Sequence, residues 1–358
     1  MITIPQIRQA NNQILVLGNH RNIIQSILDF DYLSGKKRGS IVGIVTGRTG
    51  YAKYFYGRQE ILIPTLSTSD HPIPDRRGTH DPGSQIDNLS KSNRPTLSWF
   101  LNLLSSRRTL SSTLDLLDPG SNYLRTGFVN FSRFVNLSGG VIFAENVPEL
   151  HSLQLINLRT GLPTGKTGFV NSSNPLIIGP ASVGLLVPGV LKLGPIGGIT
   201  PTQMKESKLI QSGSVAILSA SGGMTNELIN IAIGAGHHIS FALSFGGDRF
   251  PILFPREAFL LAESDPLTKT VFYYGELGGE DEYELVKLKE EGKFTKNVIA
   301  HIGGTVASLF KEAPQFGHAK AKANKEAETA FAKRKALQSA GFQVSNSFSE
   351  FIDFVSHL

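Results

Sequence analysis

The sequence predicts an α/β protein of two domains, each built on a parallel sheet. Three observations carry this. The chain has 358 residues, and about 150 per domain leaves room for two. Short apolar runs alternate with helical apolar spacing from residue 13 onwards, the pattern of parallel strands joined by helices. That alternation starts afresh near residue 214, after a Pro- and Gly-rich run.

In the first half, Gln13–Leu17 (QILVL) predicts a buried strand ending at Gly18. A helix follows over Arg21–Phe30, with Ile23, Ile24, Ile27 and Leu28 on one face. Ile41–Val45 and Glu60–Pro64 predict the second and third strands. Residues 67–95 are rich in Pro, Gly, Asp, Asn and Ser and follow neither hydrophobic period, so they read as a loop or disordered insert. Periodicity returns at Trp99–Leu104 and runs to Leu117. Gly140–Glu149 (GVIFAENVPE) predicts a buried strand and turn, and Leu176–Gly179 another strand. LRTGFVN at 124–130 is echoed by LRTGLPTGKTGFVN at 158–171. Two imperfect copies are too few for a solenoid, so they read as loop expansions near 118–138 and 158–173. The GLPTGKT stretch has three residues between its glycines where a P-loop needs four, and no strand precedes it.

In the second half, strands are expected at Ser214–Leu218, Ile239–Leu243, Thr270–Tyr274 and Val298–Ile302. Helices are expected between them and over Ala319–Ala340. The expected domains are 1–200 and 201–358.

Composition narrows the function. Cysteine is absent, so disulfides, thiolate metal ligands and cysteine nucleophiles are excluded. A reducing, cytoplasmic setting fits this. The start, MITIPQIRQANNQ, has no basic region followed by an apolar core, so no secretory signal is read. The weakly charged run 174–200 contains Pro175, Pro180, Pro188, Pro195 and Lys192. Four prolines remove too many backbone donors for a spanning helix, so strands and turns are expected and no membrane association. Net charge is +6 with dispersed Lys and Arg and no aromatic–basic module; this is a weak signal for nucleic acid, and a phosphorylated small ligand suits the charge equally well. No metal site is assigned. Glycine, at 37 residues, exceeds the usual ~7% and must be explained by local backbone demands.

Four stretches have residues suited to chemistry. Ser219–Leu228 (SASGGMTNEL) runs from a strand through a small-residue turn into a helix capped at Ser221 or Thr225. Such a turn binds anions on free N–H groups at the helix start, or is simply a tight βα turn. Phe245–Pro251 (FGGDRFP) is a turn or ligand loop in which Asp248 and Arg249 read equally as a solvated pair. Tyr274–Tyr283 (YGELGGEDEY) puts Glu276 at a strand end, where open α/β sheets bind ligands and a carboxylate can orient an imidazole. Its residues 280–284 read as the first turn of the next helix. Gln315–Ala319 (QFGHA) carries His318, either a surface histidine or a nucleophile towards phosphoryl groups.

Together these motifs resemble the succinyl-CoA synthetase α-subunit superfamily, most of all the CoA-binding and ligase domains of ATP citrate lyase. IIGPASVG at Ile177–Gly184, LDFDYL at Leu28–Leu33 and KYFYGRQEILIP at Lys53–Pro64 add to the lyase-like character. The resemblance implies a Rossmann-like CoA-binding domain followed by a flavodoxin-like CoA-ligase domain. It implies that His318 is phosphorylated, that Glu276 steadies it, and that Ser221, Gly222 and Gly223 receive the phosphate. It puts coenzyme A near Gly18, Asn19, Arg21, Arg48, Phe143, Ala144 and Glu145. ATP and Mg2+ are expected mainly on an ATP-grasp β-type partner subunit. Citrate would become citryl phosphate and then citryl-CoA, with a separate citrate-synthase-like protein for cleavage, since neither the ATP-grasp nor the cleaving domain is in this sequence. A succinyl-CoA synthetase α subunit and a decayed CoA-binding regulatory subunit are the alternatives. The family pattern is broken at Ala220, which stands where an Arg is general, and at Lys320, which stands where a Gly is usual. The charge of Lys320 could compensate for the missing one at Ala220.

Overall fold

The computed structural model describes residues 1–67, 94–117, 137–161, 174–310 and 314–358. Most of the expected inserts, the first LRTGFVN copy and all of GLPTGKT beyond Gly161 lie outside these residues. The opening of the second copy is not insert: Leu158–Thr160 is the last turn of a helix, and Gly161 closes it in the left-handed conformation at φ 71°.

The first sheet contains β1 (Asn11–Leu17), β2 (Ile41–Thr46), β3 (Gly50–Tyr56), β4 (Gln59–Ser67), β5 (Thr96–Asn102), β6 (Leu137–Ile142) and β7 (Leu176–Ile178). Its order is β3-β4-β2-β1-β5-β6-β7. All neighbours are parallel except β3, which is antiparallel to β4. Without β3 this is the dinucleotide-binding order, reversing between β1 and β5. The central strands are apolar on both faces because helices cover both. Among these helices are α1 (Ile4–Gln9), α2 (Arg21–Leu33), α3 (Thr109–Leu117) and α4 (Glu149–Thr160). Ile23, Ile24, Ile27, Leu28 and Phe30 form the buried face of α2. Trp99 is fully buried and donates its indole N–H to Asn12 Oδ1 at 2.8 Å. The expected third strand is longer than Glu60–Pro64 and is half of a hairpin. β3 gave no apolar run because its alternate residues Tyr51, Lys53 and Phe55 face outwards.

The second sheet contains β8 (Gly184–Val187), β9 (Leu191–Leu193), β10 (Val215–Ser219), β11 (Ile239–Ser244), β12 (Thr270–Glu276), β13 (Asn297–Gly303) and β14 (Gln343–Ser345). Its order is β14-β13-β12-β10-β11-β8-β9. β10 to β14 are parallel in flavodoxin-like order, reversing between β10 and β12. The chain passes to this sheet before residue 200: β8 pairs antiparallel with β11, and β9 with β8. The accompanying helices are α5 (Pro201–Glu206), α6 (Gly222–Gly234), α7 (Pro255–Ser264), α8 (Asp281–Glu290), α9 (Ala330–Ser339) and α10 (Phe348–Ser356).

Charged side chains pin the two halves together. Arg8 of α1 grips Asp265 with both guanidinium nitrogens. Arg159 of α4 holds Glu257 of α7 through bonds of 2.9 and 2.8 Å. Lys192 of β9 is fully buried against α2 and donates to Ser26 Oγ at 3.1 Å and Gly194 O at 2.8 Å. Burial pulls its pKa down to about 7. No helix among the described residues is long and apolar enough to cross a membrane.

Candidate active site

The carboxyl ends of β10, β11 and β12 meet at the reversal of the second sheet. β10 ends in Ser219, whose hydroxyl donates to Tyr274 O at 2.9 Å and accepts from Ser221 N at 3.0 Å. Ser221, rather than Thr225, caps α6, accepting from Met224 N at 3.4 Å. The helix start leaves the N–H groups of Gly222 and Gly223 without intrahelical partners. Gly222 is small by necessity, because a Cβ there would sit 2.5 Å from Val183 Cγ1, whereas Gly223 faces open space.

β12 ends in Glu276. Its Oε2 lies 2.9 Å from His318 Nδ1. The hydrogen bond to Glu276 raises the His318 pKa above the usual imidazole value, against the opposing effect of burial. An Nδ1–H donated to the carboxylate leaves the Nε2 lone pair free, the tautomer a nucleophile needs. Nε2 has no hydrogen-bond partner among the described residues. The imidazole rests on Gly247, where a Cβ would lie 2.5 Å from its Cδ2.

The helix expected from Ala319 begins only at Ala330. Tertiary partners take the backbone and side chains of the intervening residues. Lys320 O lies over Gly278, where a Cβ would overlap it. Glu328 O accepts Gly278 N at 2.8 Å, and Ala327 O accepts the Tyr283 hydroxyl at 2.8 Å. The Lys320 ammonium pairs with Asp281 and sits 5.4 Å above the Phe245 ring. Its charge is still felt at His318, where it works against the upward pull of Glu276 on the imidazole pKa.

Asp248 is not a solvated partner of Arg249. It is buried and accepts Asn146 N at 3.2 Å and Val147 N at 3.0 Å. Burial raises its pKa. Arg249 instead reaches Glu149 at 3.3 Å on the surface. A cleft of about 230 Å³ runs along Asn146–Glu149 and Asp248–Phe250, and Ala319 also lines it.

The other candidates lie along the carboxyl edge of the first sheet. Gly18 follows β1 at φ 90° and donates to Val45 O at 2.9 Å. Asn19 Oδ1 accepts the Tyr54 hydroxyl at 2.7 Å, and the Arg21 guanidinium lies 5.8 Å above that ring. Arg48 is exposed in the turn after β2, its N–H on Thr46 Oγ1 at 3.1 Å. Phe143 N donates to Asn102 O at 3.0 Å, and Ala144 O accepts Ala181 N at 2.8 Å. Glu145 is exposed, and its charge helps to raise the pKa of His318. Phe143, Ala144 and Glu145 thus adjoin the histidine site, while Gly18, Asn19, Arg21 and Arg48 group around Tyr54 and the ends of β1 and β2.

Sequence reasoning missed Glu282 and Lys333. The acidic run does open α8, as expected, but Glu282 turns inward to pair with buried Lys333 at 2.7 Å. Nothing marks Lys333 among its neighbours in a Lys-rich stretch. Among the described residues no His, Asp and Glu cluster could hold a metal ion.

The chain thus joins a dinucleotide-type sheet to a flavodoxin-like one, with a histidine–carboxylate pair at the second reversal. Residues 218–343 match the CoA-ligase family. The chain is 35% identical over 344 residues to ATP-citrate synthase beta chain protein 1 of Arabidopsis thaliana, covering 96% of this chain and 49% of that one. It is 32% identical over 342 residues to the Homo sapiens ATP-citrate synthase, covering 95% and 27%. The ATP citrate lyase of Methanothrix soehngenii, solved with citrate and coenzyme A, superposes with a TM-score of 0.78 at 31% identity, covering 98% of this chain and 50% of that one. The chain thus spans about half the length of the plant relative and about a quarter of the human one.

Proposed function

We propose that this chain is the CoA-binding and phosphoryl-transfer half of an ATP-dependent acid–CoA ligase of the ATP citrate lyase type, acting on citrate in the cytoplasm. The observation that carries the reading is the 2.9 Å contact of His318 Nδ1 with Glu276, with Nε2 free. In the proposed sequence, Nε2 attacks the γ-phosphorus of ATP held with Mg2+ on an ATP-grasp partner. ADP leaves, and the imidazolium charge of the phosphohistidine is balanced by Glu276. A citrate carboxylate oxygen then takes the phosphoryl group, giving citryl phosphate and restoring the imidazole. The N–H groups of Gly222 and Gly223, with the positive end of α6 and the Ser221 hydroxyl, suit the transferred phosphate. Coenzyme A would lie along the first sheet's carboxyl edge, from Arg48 and Gly18 towards Glu145. Its thiolate attacks the acyl carbon, and phosphate leaves, giving citryl-CoA.

The lyase-like relatives favour citrate over succinate. A specific observation favours a second, non-catalytic reading as a CoA-binding regulatory subunit: Ala220 supplies no cation at the phosphate loop, and the Lys320 ammonium is paired with Asp281.

The test is to assemble the full chain with an ATP-grasp partner and offer ATP, CoA and either acid. Mass spectrometry should find citryl-CoA. Succinyl-CoA alone would move the assignment to the succinate enzymes. CoA binding with neither product would favour the regulatory reading.

A further inference from the structure

Behind the histidine–carboxylate pair lies a second charged cluster that the proposed chemistry does not touch. Lys333 of α9 is fully buried. Its ammonium donates to the Glu276 carbonyl and to the Gly278 carbonyl, each at 2.7 Å, and pairs with Glu282 Oε2 at 2.7 Å. Two of its hydrogens thus go to carbonyls, while Glu282 Oε2 faces it as a counter-charge without a hydrogen-bond partner of its own. The other oxygen of Glu282 accepts the Tyr273 hydroxyl at 3.0 Å. Burial pushes the Tyr273 pKa well above its ordinary value, so this hydroxyl stays a donor. Gly275 makes the arrangement possible, because a Cβ there would overlap Glu282 Oε1.

The turn that Lys333 holds touches His318 from two directions. Its first residue, Glu276, presents the carboxylate to Nδ1. Its third, Gly278 at φ 84°, lies directly beneath the carbonyl of Lys320, two residues past His318. Moving the turn would shift both the partner of the imidazole and the seat of its backbone. A buried ion pair is a weak source of stability, and a neutral, well-packed replacement often costs little. A neutral chain cannot, however, donate to two carbonyls and also balance the charge of a buried carboxylate. What the ammonium adds at this place is geometry.

We propose that Lys333 is a positioning residue for His318, holding turn 276–278 so that the Glu276 carboxylate meets Nδ1. The consequence for phosphoryl transfer rests on the reading of His318 as the phosphorylated residue; the positioning itself does not.

The test uses the full chain with 15N-labelled histidine, the His318 signal being identified by its loss in His318→Asn. Lys333→Met alone strands a buried carboxylate and should cost stability. The double variant Lys333→Met with Glu282→Gln removes both charges and should melt close to wild type. In it the His318 titration midpoint should fall towards the ordinary imidazole value. Phosphorylation in the assembled enzyme should drop by about tenfold or more, as small misplacements of reacting groups do. A second pair, Lys333→Gln with Glu282→Gln, is read in the same way and covers the case in which the methionine pair does not fold. A folded double variant in which His318 titrates as in wild type would overturn the proposal. The titration needs neither ATP nor a partner. Failure of wild-type His318 to take a phosphate would therefore sink the phosphohistidine reading without deciding this one.

Discussion

The carboxyl edges of the two sheets are built differently. On the second sheet, Glu276, Gly247, Gly278 and His318 are fixed against one another by contacts of a few ångström. The glycines are there because backbone and imidazole occupy the space a Cβ would need. On the first sheet, the candidates are strung from the turn after β2 to the loop after β6, and Asn19, Arg21, Arg48 and Glu145 are exposed. Group transfer needs atoms held to fractions of an ångström. A long, flexible ligand needs a row of separate contacts instead, each of modest strength. The contrast suggests one edge for chemistry and the other for holding.

Breaking the tight edge should have the largest effect. Glu276→Gln keeps the shape but loses the charge, and labelling from ATP should fall by about a hundredfold or more, in the range of a misplaced acid–base partner. The pH dependence should move with it. Because the contact with Glu276 raises the His318 pKa, the reactive neutral form accumulates only above that raised midpoint. Labelling should therefore rise with pH through it, and the midpoint should drop in Glu276→Gln. The same contact contributes stability that is full below the unfolded-state imidazole value and is lost as pH rises through the folded one.

Gly247→Ala tests the same edge by shape. A Cβ 2.5 Å from His318 Cδ2 must push the ring aside, and labelling should fall by about tenfold to a hundredfold. Coenzyme A affinity, read by calorimetry, should barely change. Equal losses of both would break the division between the edges.

The loose edge should respond more gently. Arg48→Ala removes one exposed cation, and coenzyme A affinity should fall by about tenfold, the order of one charge-assisted hydrogen bond. Labelling from ATP, which needs no CoA, should fall far less.

Lys192 lies on neither edge and sharpens the contrast. Its folded pKa is lowered to about 7 from 10.5 by burial. Between those values the unfolded chain carries a proton that the folded one lacks, so stability should rise with pH over that window. Lys192→Met should flatten that slope in chemical denaturation, while labelling and coenzyme A affinity stay as they were.

Much of the fold was legible because buried parallel strands are continuous apolar runs. β1, β2, β10, β11, β12 and β13 could each be read within a few residues. β3 was not, since an edge strand with alternate outward residues shows no such run. Nor was the passage of β8 and β9 to the second sheet, because pairing partners are not written in a strand's own residues. For the site, Ser221, Glu276 and His318 stood out at strand ends and small-residue turns. The delay of α9 to Ala330 did not, since an Ala- and Lys-rich stretch has high helix propensity and only the contacts of 316–329 with Gly278, Asp281 and Tyr283 override it. Glu282 and Lys333 were hidden for a similar reason: each looks like one more surface charge on its helix.

The central claim is that His318 Nε2 receives the phosphoryl group of ATP. The direct measurement is to incubate the assembled enzyme with ATP, without citrate or CoA, and to locate bound phosphate by 31P NMR and mass spectrometry. An acid-labile, base-stable phosphate on Nε2 of His318, discharged by citrate, is the predicted result. An assembled, CoA-binding complex that forms citryl-CoA with no phosphate ever on His318 would contradict it.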